Sequence, residues 1–174
     1  QEAAPTKNEL LAKAGFTGDL TTADVVRKLE EEGVNATKEA EDLRSGSGAA
    51  CTVALEQAAV ADTEARAAAD LVARANTTSD PAEKERTMRD AAAARQRSRV
   101  ANLKARAAME AGEDLDSERA ATRQRGERAA KLATDLTGAL SSTDTKNTLP
   151  LLVQARERIE ANKGPASAPD LQER

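Results

Sequence analysis

The stretch Ala49–Asn76, AACTVALEQAAVADTEARAAADLVARAN, decides the fold class. Ala54, Ala58, Ala61, Ala65, Ala68, Val72 and Ala75 recur at steps of three and four residues, which draws one continuous stripe along a helix. Alanine is the strongest helix former because it loses no side-chain entropy. Buried, it supplies under ~1 kcal/mol of hydrophobic free energy by area. A helix built this way gains stability from length and propensity, and its small side chains let a neighbour approach to the short end of the usual 8–10 Å range.

The rest of the 174-residue chain has the same texture. Hydrophobic residues make up 39%, more than half of them alanine, and charged residues make up 32%. Phe16 is the single aromatic residue, so a conventional core and an aromatic-lined ligand pocket are both excluded. With no histidine, a Ser–His or Cys–His nucleophile pair and an imidazole metal ligand are excluded too. The expected fold class is all-α, an elongated antiparallel helical bundle with an alanine-rich core.

Punctuation residues divide the chain into expected elements. Thr6 and Glu9 form a capping box for a short helix closed by Gly15. Residues 16–20 make a connector, and Thr22 opens a second helix through Val25, Val26 and Leu29 to Gly33. Asn35 or Thr37 caps a further short helix to Leu43, and Arg44-Ser45-Gly46-Ser47-Gly48 reads as a flexible break. After the stretch quoted above, Asp80, Pro81 and Glu83 form a strong helix start. That helix is expected to end at Gly112, with Met88, Ala92, Val100, Leu103 and Ala107 facing inward.

A third long helix begins near Asp116 or Ser117 and turns Ala121, Ala129, Leu132, Leu136 and Leu140 to one side. Gly126 lies inside it at a cost of about 1 kcal/mol against alanine, which predicts a close packing neighbour there. Thr148 caps a last helix, with Pro150 in its first turn, Leu152, Ala155 and Ile159 facing inward and Gly164 at its end. The domain reading is therefore residues 1–48 as short helices and connectors, 49–164 as the long-helix bundle packed with them as one domain, and 165–174 as an extended or disordered tail.

The candidate sites are few. Asn35-Ala36-Thr37 and Asn76-Thr77-Thr78 are N-glycosylation sequons, read as lying at loops or helix ends. The basic stretch Arg86–Arg106 has no interleaved aromatics, and the whole chain carries a net charge of -4. It is read as a solvated or helix-pairing face and not as a nucleic-acid site. Cys51 reads as a small buried hydrophobe. Asp114, Asp116 and Glu118 read as capping carboxylates beside a helix start, without the spacing of a calcium loop. No catalytic, cofactor-binding or metal-binding residue is expected, and the chain is read as a non-enzyme.

The alternation in Thr63-Glu64-Ala65-Arg66-Ala67-Ala68-Ala69-Asp70 and in Arg119-Ala120-Ala121 resembles the glutamic acid/alanine-rich surface coat proteins of African trypanosomes. The resemblance implies a helical bundle on the extracellular face of the plasma membrane, held by a C-terminal glycosylphosphatidylinositol (GPI) anchor among neighbouring coat molecules. On a secreted chain the sequons at Asn35 and Asn76 make it a glycoprotein, and weak self-association is expected beside the neighbouring coat molecules. The chain departs from that pattern in its excess of alanine over glutamate and its many arginines, and anchoring requires sequence beyond Arg174. Starting at Gln1, the chain fits a processed secreted domain. The alternative is a stress-protectant or lipid-surface-binding amphipathic helical protein, although the eleven-residue repeats of that class are not seen.

Overall fold

A computed structural model describes residues 4–142 and 145–163. It contains four helices: α1 (Lys7–Lys13), α2 (Thr22–Thr77), α3 (Pro81–Ser141) and α4 (Thr145–Lys163). No strand occurs among the described residues, and no helix there is long and apolar enough to cross a membrane. The expected tail at 165–174 and the end of the last helix at Gly164 lie outside the described residues.

The caps follow the local chemistry read from the sequence. Thr6 Oγ1 accepts the Glu9 N–H at 3.2 Å while Glu9 returns a carboxylate oxygen to the Thr6 N–H at 3.3 Å. Gly15 closes α1 at φ 94°, a conformation that suits a residue without Cβ. Thr21, one residue earlier than expected, caps α2 through a reciprocal pair with Asp24 at 3.0 and 3.1 Å. Those bonds, the backbone one first, hold the Asp24 carboxyl below its ordinary range, and Arg27 and Lys28 add to the effect. Asp80 caps α3 by accepting the Ala82 N–H at 3.1 Å ahead of Pro81. Glu83, expected to complete a box, makes no return bond among the described residues.

Three expected breaks are absent. Gly33, residues 44–48 and Gly112 are all helical, so α2 is one helix of 56 residues and α3 one of 61. The reason is that Gly33, Gly46 and Gly112 serve a neighbouring helix and do not stop their own. A Cβ on Gly112 would sit 3.5 Å from the Ala50 Cβ, and one on Gly46 would sit 3.3 Å from Leu115 Cδ1. The last helix also starts earlier than expected, at Thr145, which leaves Pro150 inside it and Thr148 buried with its hydroxyl on the Ala139 carbonyl oxygen at 3.4 Å.

The described chain falls into two compact units. The first comprises Gln1–Ala40 with Ala120–Arg174. Its core joins Leu10 and Leu11 of α1, Val25 and Leu29 of α2, Leu132 and Leu136 of α3, and Leu152 and Ala155 of α4, with Phe16 and Ile159 packed on it. Within this unit Gly33 and Gly126 bring α2 and α3 into close approach. A Cβ on Gly126 would lie 2.8 Å from the Ala36 Cβ, which accounts for the glycine inside α3. Arg158 of α4 binds Glu32 of α2 at 2.9 and 3.3 Å and donates to the Arg125 carbonyl oxygen at 2.7 Å, so one guanidinium ties three helices.

The second unit, Glu41–Arg119, holds only α2 and α3 and the turn joining them. On α2 the seam runs through Leu43, Ser47, Ala50, Ala54, Gln57, Ala61, Glu64, Ala68, Leu71 and Ala75, with Gly46, Ala67 and Val72 half-buried beside it. On α3 it runs through Thr87, Ala91, Ala94, Ser98, Ala101, Ala105, Ala108, Gly112, Leu115 and Arg119. Both sets step by three and four without a skip, which is a seven-residue repeat whose seam stays turned toward its partner. Ser47 meets Gly112 at 3.4 Å, Ser98 meets the Ala61 carbonyl oxygen at 2.8 Å and Arg97 meets Glu64 at 3.1 Å. Partner numbers on α3 thus fall as those on α2 rise.

The inward face expected for α3 is the wrong one in this unit. Leu103 is 64% exposed, and Met88 and Val100 are 39% exposed, whereas Ala91 and Ala94 are fully buried. Large side chains at the fully buried seam positions would hold the helices apart, so those positions are Ala, Ser and Gly and Leu103, Met88 and Val100 face outward.

Candidate functional site

No side-chain cluster in the described residues has the form of a reaction centre, so the candidate features are surfaces. Asn35 is exposed in the interior of α2, neither in a loop nor at a helix end as expected, because the anticipated break at Gly33 does not form. It lines an open groove of the first unit with Lys28, Glu31, Arg125, Ile159 and Asn162. Asn76 is exposed one residue before the end of α2, at the turn expected for it. The Thr77 and Thr78 hydroxyls both donate to the Arg74 carbonyl oxygen, at 3.0 and 2.9 Å, and so close off the helix end beside it. Sequons are recognised on surface loops, and Asn76 fits that setting while Asn35 does not.

Cys51 is exposed, contrary to the expectation of a buried thiol. Its neighbours Ala50 and Ala54 occupy the seam and leave it beside the contact. Asp114, Asp116 and Glu118 are exposed within α3, since that helix runs through the start once placed at Asp116 or Ser117, and they therefore cap nothing. No group of three or more potential metal ligands converges among the described residues.

The basic stretch divides by helix face. Arg97 pairs across the seam with Glu64, and Arg89 pairs with Glu85 one turn away. Arg95, Arg99, Lys104 and Arg106 are exposed and form no ion pair among the described residues. Helix pairing thus accounts for Arg97 alone of these six. The open faces of α3 were not singled out from the sequence because their hydrophobic members were assigned to the core. A repeat count that allowed alanine to outrank leucine at the seam would have found them.

No family model, curated protein or solved structure matches the chain.

Proposed function

We propose that the chain is a structural protein of a cell-surface coat, working as an antiparallel bundle with an alanine-rich core and without a catalytic centre. The observation that supports this most is the make-up of the second unit. Two helices meet along one seam whose fully buried positions are Ala, Ser and Gly, and most of the remaining surface of each helix is exposed. That arrangement presents surface and encloses little. The grooves of the first unit are open and lined by charged residues of both signs, such as Lys28, Glu31 and Arg125, which suits packing of helices more than capture of a substrate.

In this reading a C-terminal lipid anchor beyond Arg174 holds the protein on the extracellular face of the plasma membrane, and a glycan at Asn76 adds to the protective layer. The test is antibody staining of intact producing cells, followed by phospholipase cleavage of GPI anchors. Staining without permeabilisation and release by the enzyme are expected. Staining only after permeabilisation contradicts the proposal. Circular dichroism in dilute buffer separates the stress-protectant alternative: a bundle gives high helicity and a cooperative melt, whereas a coil spectrum favours a protein that folds only on drying or on lipid.

A further inference from the structure

The outward face of α3 in the second unit carries a charge pattern that the fold does not use. From Ala91 to Met109 there is no acidic residue, and the cations are Arg95, Arg97, Arg99, Lys104 and Arg106. From Glu110 to Glu118 there is no cation, and the acids are Glu110, Glu113, Asp114, Asp116 and Glu118. None of these ten except Arg97 is ion-paired among the described residues, and all are exposed. Exposed apolar side chains lie at and before the change of sign, with Val100 39%, Leu103 64% and Met109 57% exposed.

Counting from the seam shows which of these share a face. Ala91, Ala94, Ser98, Ala101, Ala105, Ala108 and Gly112 fill the two inward positions of each repeat. Arg99, Val100, Leu103, Arg106, Glu110, Glu113 and Asp114 all fall on the positions opposite them. The outer face is thus a cationic half, which also holds Val100 and Leu103, and an acidic half. A two-fold axis near Ala107 lays this face against itself, so that Arg99 and Val100 of one copy lie over the Glu113–Asp114 end of the other and Leu103 lies over the partner's residues 110–111. Such a contact is isologous and closes as a dimer.

We infer that the outer face of α3, with Arg99 and Arg106 before Ala107 and Glu110, Glu113 and Asp114 after it, docks a second copy of this chain in antiparallel register. An anionic lipid surface or a nucleic acid would be attracted by the cationic half, yet repelled by the five acids next to it on the same helix. Only a partner with the reversed pattern satisfies both halves, and the chain itself has that pattern. Exposed single ion pairs are worth little, but two opposed blocks sum into a field that fixes register and disfavours other pairings.

Sedimentation equilibrium of the full chain at low ionic strength tests the inference. The expected result is a monomer–dimer equilibrium that weakens as salt is added. The double variants R99E/R106E and E113R/D114R should each weaken homodimerisation by about tenfold or more, because like charges then face each other. Mixed together, the two variants should pair at least as well as the natural chain, an outcome that misfolding cannot produce. Leu103→Asp should also weaken the dimer while the far-ultraviolet dichroism is unchanged. A chain that stays monomeric, or a dimer indifferent to R99E/R106E, overturns the inference. So does a chain that is monomeric in solution yet binds phosphatidylserine vesicles in a way that R99E/R106E abolishes.

Discussion

The two units solve the same packing problem with different side chains. In the first, four helices converge and the buried set is rich in leucine, with Leu29, Leu136 and Leu152 fully buried. In the second, two helices share one seam and the buried set is alanine, serine and glycine. A fully buried leucine contributes roughly 1.5–3 kcal/mol by area and a buried alanine well under half of that. The leucine unit therefore depends on a few large groups, each hard to replace. The alanine unit depends on helix propensity and on regularity, so each position matters less and the spacing matters more.

The sharpest break in that comparison comes from deleting one large side chain. Leu152→Ala should destabilise by about 2–5 kcal/mol, since the cavity it leaves is surrounded by α1, α2 and α3 and cannot collapse fully. Urea unfolding measures it. A loss as small as that of an alanine-to-glycine change in the second unit would show that the two cores do not differ.

The next effect tests close approach. Gly126→Ala should cost about 1–3 kcal/mol despite the gain in helix propensity, because its Cβ would lie 2.8 Å from that of Ala36 and neither group can swing aside. The double variant G126A/A36G should recover most of the loss, and thermal melts of the three chains measure the coupling. At Gly48, where an added Cβ meets nothing within 4 Å, the same substitution should instead stabilise by about 0.5–1 kcal/mol. Opposite signs at two helical glycines separate one that packs from one that does not.

Much of this was legible in the sequence. The caps at Thr6 and Asp80, the burial of Ala54, Ala61, Ala68 and Ala75, the inward face of α4 and the tight neighbour at Gly126 all follow from local rules. What was not legible depends on a partner helix. Gly112 and Gly46 read as breaks because a helix considered alone has no reason to keep them, and only the facing Ala50 and Leu115 supply one. The α3 face was misassigned for the same reason, since Leu103 outranks Ala101 on any hydrophobicity scale yet is too large for the seam. Ala58 and Ala65, counted into the stripe on α2, are exposed because a seven-residue repeat selects a narrower line than the sequence suggested. Of the two sequons, Asn76 kept its helix-end position and Asn35 lost it when the break at Gly33 vanished.

Smaller effects refine the picture at single bonds. Ser98→Ala removes the hydroxyl that reaches the Ala61 carbonyl oxygen across the seam and should cost about 0.5–1.5 kcal/mol, as that oxygen keeps its helical partner. The smallest effect is set by pH. Asp24 has its carboxyl held below the ordinary aspartate range by Thr21, so its contribution is complete above that range and is lost as pH falls from there through the lowered value. Asp24→Asn should therefore differ from the natural chain at neutral pH and converge with it in acid, as read by melts at a series of pH values.

The central claim is that α2 and α3 are each uninterrupted, with small residues holding the seam where breaks would be expected. Amide hydrogen exchange read residue by residue tests it most directly. Residues 44–48 and 110–116 should exchange as slowly as the turns on either side of them. Fast exchange confined to those two segments would restore the breaks at Gly46 and Gly112 and contradict the account.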